Sequence, residues 1–201
     1  MTFRKEIKYK LSPINLEIIK AYLLENGMLS IYPLRRVNSC YFDTENFEFF
    51  KESLNGILPR YKYRIRSYDK KNIFYKEIKI SSIEGRFKTS EKISEDEYES
   101  IYENGVFFKS YGLIKPKILV SYNREYYNYK KCRLTFDYDI SYSRKSIVNQ
   151  KWIFDYFNVM ELKTSIEQDS SFLEGLFSFQ STSFSKYVRG IYKTDNLFNS
   201  Q

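Results

Sequence analysis

Between Arg60 and Arg66 every second residue is basic, and the residues between them are Tyr61, Tyr63 and Ile65. A strand turns alternate side chains to opposite faces, so this stretch reads as a β-strand with one cationic face and one apolar-aromatic face. The next segment continues the scheme, with Tyr75, Glu77 and Lys79 on one face and Phe74, Lys76, Ile78 and Ile80 on the other. Like charges along one face repel unless something anionic sits among them. The pattern recurs along the chain. Arg4, Glu6, Lys8 and Lys10 stand opposite Ile7, Tyr9 and Leu11, and Arg86, Lys88, Ser90 and Lys92 take alternate positions. Arg133, Thr135, Asp137 and Asp139 interleave with Cys132, Leu134, Phe136 and Tyr138, and Glu161 and Lys163 with Met160 and Leu162. An open sheet would expose such faces to water. A closed antiparallel barrel would turn them inward and leave an apolar exterior for helices. A charged interior is tolerable only where it is wet and supplied with counter-charge.

Helices fall between these strands. Ser12-Pro13 predicts an N-cap and first position for a helix to Asn26, with Leu16, Ile19 and Leu23 inward and Gly27 as its stop. Residues 35–42 read as a strand, and Asp43 as the cap of a helix over 44–54 ended by Asn55-Gly56. Ser94 and Glu97 form a capping box for a helix ending before Gly105. Lys115-Pro116 opens a strand over 117–126 that carries Arg124, and 152–154 reads as a short strand. Asp169 is expected to cap a helix over 170–179, and a last helix begins near Phe184-Ser185-Lys186-Tyr187.

Composition narrows the chemistry. The chain has 201 residues, suiting one domain over 1–195 with a frayed tail at 196–201. Its formal net charge is +8 although Asp and Glu number 25, so it is a mixed-charge protein whose basic surplus favours an anionic partner. There is no histidine. That excludes a Ser-His-Asp triad, a phosphohistidine intermediate and any His-ligated metal. Seven glycines build neither a GxxxxGK[ST] loop nor a GxGxxG loop, so side-chain cations would hold any nucleotide phosphates. Cys40 and Cys132 fit buried thiols in a reducing compartment. No apolar run is long enough to span a bilayer and no signal peptide precedes the first strand, so a cytoplasmic location is expected. No RNP, KH, zinc or helix-turn-helix signature accompanies the charge, which argues against nucleic acid.

Eight short motifs in order resemble one family. They are Arg4-Lys-Glu6-Ile-Lys8-Tyr9, Ser39-Cys-Tyr41-Phe42-Asp43-Thr44, Tyr63-Arg64-Ile-Arg66-Ser-Tyr68 and Glu77-Ile-Lys79 in the first part. Tyr122-Asn-Arg124, Arg133-Leu-Thr135-Phe-Asp137, Met160-Glu161-Leu-Lys163 and Phe184-Ser185-Lys186-Tyr187 follow. Together, over residues 3–192, they resemble the VTC domain, the polyphosphate polymerase branch of the triphosphate tunnel metalloenzymes. The resemblance implies an α+β fold: a closed eight-stranded antiparallel β-barrel with a charged lumen and helices packed outside. It implies ATP-dependent transfer of the γ-phosphoryl group to inorganic polyphosphate or pyrophosphate, with Mn or Mg required and ADP released. The alternatives are a non-catalytic polyphosphate- or triphosphate-binding tunnel and a triphosphate hydrolase.

By the same resemblance Lys8, Arg64, Arg66, Lys79, Arg133 and Lys186 would be catalytic. Arg124, Lys88, Lys92, Ser185, Tyr187, Arg60 and Lys62 would bind substrate, and Glu161, Glu6 and Glu77 would hold metal. Glu161 could instead pair with Lys163, and Glu77 and Asp137 could serve to orient the arginines. Arg4 stands where the wider superfamily begins Glu-x-Glu-x-Lys, which argues against a triphosphatase that uses paired glutamates for two metals. The SPX domain and transmembrane segments of the eukaryotic subunits have no counterpart, which leaves coupled translocation to a separate membrane protein partner.

Overall fold

The computed structural model describes residues 4–69, 72–130, 132–145, 150–165 and 180–194. The helix expected over 170–179 and the tail at 196–201 lie outside them. The strands are β1 (Arg4–Leu11), β2 (Leu29–Asp43), β3 (Arg60–Tyr68), β4 (Phe74–Ser82), β5 (Gly85–Ile93), β6 (Val106–Phe108), β7 (Gly112–Tyr129), β8 (Cys132–Arg144), β9 (Ile153–Phe154) and β10 (Asn158–Ser165). The helices are α1 (Pro13–Glu25), α2 (Glu48–Asn55), α3 (Glu95–Asn104) and α4 (Lys186–Thr194). The hydrogen-bonded strand order is β1-β10-β8-β7-β2-β3-β4-β5, with β6 on β7 and β9 on β8. The registers of β1 with β10, β10 with β8, β2 with β3, β3 with β4 and β4 with β5 are antiparallel. The order therefore opens at β1 and ends at β5, and among the described residues no pairing joins the two. The fold is a mostly antiparallel sheet with few helices.

The chain forms two compact units, one from residues 1–35, 122–140 and 154–184, the other from 36–121, 141–153 and 185–201. In the first unit the amphipathic strands behave as their alternation demands. Tyr9, Leu11, Leu134, Phe136, Met160 and Leu162 form one buried cluster with Leu16, Ile19 and Leu23 of α1. Their strand neighbours Glu6, Lys8, Thr135, Asp137, Glu161 and Lys163 consequently share the opposite face. Ser12 caps α1 by accepting from the Asn15 amide at 3.2 Å.

In the second unit aromatic side chains fill the core. Phe49 of α2 meets the rings of Tyr61, Phe108 and Tyr111 at 4.7–6.3 Å, edge-on or tilted. The α2 helix starts at Glu48, four residues after the position that Asp43 suggests. The reason is that Asp43 caps from a distance, its carboxylate accepting from the Phe49 and Phe50 amides at 2.9 Å across a loop in which Phe47 is left-handed. The β2 strand is longer than expected at its start, and β7 runs straight through Pro116. Pairing with β6 stops at Ile114, before that proline, so β6 does not call on its missing amide. Ser94 caps α3 through the Glu97 amide at 3.1 Å. Gly190 is needed where α4 packs on β7 and β8, because a Cβ there would lie 2.8 Å from the Tyr142 ring and 3.0 Å from Ile118.

Candidate functional site

In the second unit the register turns the alternating basic strands into a grid. Arg64 stands opposite both Tyr41 and Glu77, Glu77 opposite Ser90, and Arg66 opposite Ser39. One row along, Lys62, Lys79 and Lys88 lie side by side on β3, β4 and β5. The next row on the other side brings Arg66, Tyr75 and Lys92 together. Lys79 starts about 5 Å from each of its two neighbours in this row, and like charges so placed destabilise a sheet unless an anion joins them.

Glu77 is the carboxylate at the centre of this face. Its Oε2 accepts from Arg64 Nε at 2.7 Å and faces Arg64 Nη2 at 2.6 Å and Arg66 Nη1 at 3.9 Å, while Lys88 Nζ meets Oε1 at 2.5 Å. Burial alone would raise its pKa. The Arg64 and Arg66 guanidiniums and Lys88 outweigh burial and hold it at about 2. Arg64 and Arg66 are themselves buried, and Glu77 supplies their counter-charge and aims them. The contacts that Glu77 already makes orient Arg64 and Arg66, and a divalent cation there would share the carboxylate with them and with Lys88.

Two partners on β2 complete this arrangement. Arg64 Nη1 donates to the Tyr41 hydroxyl at 2.9 Å, and Arg66 Nε donates to Ser39 Oγ at 3.1 Å. Burial pushes the Tyr41 phenol up, but Arg64 and Arg66 outweigh it and bring the group down to about 8. Sequence reasoning placed both in a family motif but gave neither a role in the site. The signal that could have found them is their alternation in Ser39-Cys40-Tyr41, which puts them on one face of a strand beside β3.

The expected residues near α4 divide. Lys62 Nζ donates to Ser185 Oγ at 3.1 Å, and Ser185 Oγ also accepts from the Val188 amide at 3.4 Å. Lys186 opens the helix, half-buried. Tyr187 stands apart from the other expected substrate contacts. Its ring is buried and stacked on Tyr41 at 5.2 Å, and its hydroxyl donates to Asp43. Burial raises the Tyr187 pKa, with the Asp43 charge adding to it, so the phenol stays protonated. The Asp43–Tyr187 bond and Gly190 together fix α4 and the lysine at its start. Arg60, half-buried, donates to the Ile57 carbonyl at 3.5 Å, and Lys92 is exposed.

The first unit carries a second charged face. Lys8 pairs across the ladder with Glu161, and Glu161 with Thr135; one row along, Glu6 pairs with Lys163 and Lys163 with Arg133. Lys8 Nζ lies 3.1 Å from Glu6 Oε1 and 3.9 Å from Glu161 Oε2, and donates to the Phe184 carbonyl at 3.2 Å. Lys163 Nζ is 3.0 Å from Glu161 Oε1. Burial would raise the Glu161 carboxyl, but Lys163, Arg124 and Lys8 hold it well below the usual carboxylate range. Arg124 makes a two-pronged contact with the fully buried Asp137 at 2.5 and 2.6 Å. Burial alone would lower the Arg124 pKa, and Asp137 more than reverses this, so the guanidinium is permanently charged. Arg133 is exposed, its guanidinium 5.4 Å from the Tyr126 ring.

The VTC domain family model matches residues 3–194. The chain belongs to the VTC domain family. This VTC domain is also similar to three solved structures of low sequence identity. A Bacillus halodurans protein provisionally described as an adenylate cyclase superposes with a TM-score of 0.64 at 18% identity, over 94% of this chain and 96% of that one. A Hippeastrum protein, provisionally described as an adenylyl cyclase with a dominant triphosphatase activity, gives 0.59 at 14% identity, over 98% and 100%. A Vibrio parahaemolyticus protein, also provisionally described as an adenylate cyclase, gives 0.57 at 12% identity, over 94% and 98%. No curated protein matches the sequence. At these identities the likeness is one of fold alone. No helix among the described residues is long and apolar enough to cross a membrane.

The family implies a divalent metal, and the VTC domain's first unit can accommodate one. Glu6 and Glu161 both reach the same Lys8 ammonium, so a cation can lie between them. Directly across the ladder from Glu161, the buried Thr135 Oγ1 has no hydrogen-bond partner among the described residues. These are hard oxygen donors. Among the described residues no group of three or more acidic, His or Cys side chains gathers that could hold a metal ion by itself.

Proposed function

We propose that this VTC domain is an ATP-dependent polyphosphate polymerase, working with Mn or Mg. The observation that carries the reading is the second unit's cationic face, where Lys62, Lys79 and Lys88 lie abreast next to Arg64 and Arg66 with Glu77 as the carboxylate among them. Such a face matches a linear polyanion, which presents a charge at every phosphate. Closure of the strands into the eight-stranded tunnel of the family is part of the proposal.

In this reading Arg64 and Arg66, kept rigid by Glu77, Tyr41 and Ser39, neutralise the equatorial oxygens of the transferring phosphoryl group. Lys62, Lys79, Lys88 and Lys92 hold the neighbouring phosphates, with Arg60 at the end of the same strand. Lys186, placed by the Tyr187–Asp43 bond, meets a terminal phosphate. An oxygen of the acceptor phosphate attacks the γ-phosphorus of ATP, and the bond to the β–γ bridging oxygen breaks to release ADP. The attacking oxygen is already ionised, so no histidine or other base is required. Lys8, Arg124 and Arg133 supply further positive charge in the first unit. Glu161, with Glu6 and Thr135, would hold the metal, whose contribution is to draw negative charge from phosphate oxygens.

The test is incubation of the purified protein with ATP and Mn²⁺, with and without pyrophosphate, following ADP and a stained polyphosphate gel. ADP with a ladder is the expected result. A hydrolase is the second reading, favoured by the triphosphatase activity described for the Hippeastrum protein. ADP with orthophosphate and no ladder would replace the polymerase by that hydrolase. Tight polyphosphate binding without turnover would replace it by a binding tunnel.

A further inference from the structure

The α1 helix is apolar on two sides. One side is the core stripe of Leu16, Ile19 and Leu23, while Ile14 and Ile18, one helical turn apart, are 72% and 62% exposed. Phe154 and Tyr156 are 67% and 64% exposed, and they line one groove of about 680 Å³ together with Ile14 and Ile18. At Asp139 the backbone turns left-handed and breaks the alternation of β8, so that Tyr138 and Asp139 both line this groove. Single exposed apolar residues are ordinary, but a stripe of them bordering a groove marks an interaction surface.

Charge identifies the occupant. Every charged side chain among the described lining is a carboxylate: Glu17, Asp139 and Asp155. This is an acidic rim on a chain of net charge +8. Nucleic acid and anionic lipid headgroups, which the rest of the protein would attract, are repelled here. The axial run of Ile14 and Ile18 favours packing by another helix. We infer that the groove between α1, the end of β8 and the segment 154–158 docks a basic amphipathic helix of a partner protein, with its apolar face on Ile14, Ile18, Phe154 and Tyr156. Its Lys or Arg residues lie against Glu17, Asp139 and Asp155. This surface is separate from the charged strand faces and does not depend on their function.

The test uses the full chain and two short fluorescein-labelled peptides at helical spacing, one of Leu and Lys, the other of Leu and Glu, read by fluorescence anisotropy. The Leu/Lys peptide should bind, and the Leu/Glu peptide should bind more weakly by about tenfold or more. Ile18→Ser and Phe154→Ser, both at exposed positions, should each weaken Leu/Lys binding by about tenfold with unchanged circular dichroism. Glu17→Lys should weaken it as well. Equal binding of the two peptides, or an Ile18→Ser protein that binds as the wild type does, would overturn the inference. So would binding to phosphatidylserine vesicles, or a concentration-dependent dimer, that Ile18→Ser abolishes; these would assign the groove to a membrane or to a second copy.

Discussion

The two charged strand faces differ in balance. In the first unit acids and bases are matched. Glu6 and Glu161 share Lys8, Lys163 meets Glu161, and Arg124 is clasped by Asp137. In the second unit one buried carboxylate, Glu77, serves Arg64, Arg66 and Lys88, and lysines crowd the row beside it. A matched face is largely satisfied by its own residues and can place a cation among carboxylates. A face on which three cations share one carboxylate would gain counter-charge from an external polyanion. The comparison teaches that one alternating pattern yields two different charge balances, set by where the few acids fall, and in the proposed reading these serve two tasks.

The sharpest way to break that contrast is Glu77→Gln. It leaves three cations without their counter-charge and should destabilise the protein by about 3 kcal/mol at pH 7, from the depression of a carboxyl held at about 2. Because the folded pKa is depressed, this stability is present above about 4.5 and is lost as pH falls from there towards 2. Chemical denaturation of wild type and variant across that range should converge at the acid end. Added polyphosphate should raise the melting temperature of Glu77→Gln more than that of the wild type; an equal or smaller rise would contradict that gain of counter-charge.

Arg66→Ala and Glu161→Gln separate the two faces functionally. Each should lower turnover by about 100-fold or more while the protein stays folded. Only Arg66→Ala should also weaken polyphosphate binding measured without metal, and only Glu161→Gln should raise the Mn²⁺ concentration needed. Wild-type turnover in either would remove that residue from the proposed machinery.

Gly190→Ala probes the placement of Lys186 from behind. Its Cβ would press on Tyr142 and Ile118, so a loss of about 1–3 kcal/mol in thermal or chemical unfolding is expected. No loss would mean that α4 shifts freely.

The smallest effect concerns Tyr41, whose folded pKa near 8 lies below its ordinary 10. Its ionisation adds nothing at pH 7 and stabilises the fold as pH rises from 8 to 10, by about 1 kcal/mol at pH 9. Tyr41→Phe should lose that increment. In the wild type, bound polyphosphate should move the phenol's ultraviolet titration upward, because both anions compete for Arg64.

Alternation in the sequence already separated a charged from an apolar face on β1, β3, β4, β8 and β10, since a strand has only two faces to offer. It also located Ser12, Ser94 and Gly27, because caps and stops act within a few residues. It suggested the near pair Glu161–Lys163, but it could not say which carboxylate meets which cation across strands. Arg64 finds Glu77, and Glu161 finds Lys8, only through strand register, which aligns residues far apart in the chain. Nor could it show that Tyr187 points its hydroxyl at Asp43 instead of a phosphate, a contact across 144 residues. The second apolar side of α1 was written in Ile14 and Ile18 from the start. Whether that side would be covered depended on how many neighbours the tertiary packing placed against the helix, and among the described residues it placed them on the side of Leu16, Ile19 and Leu23.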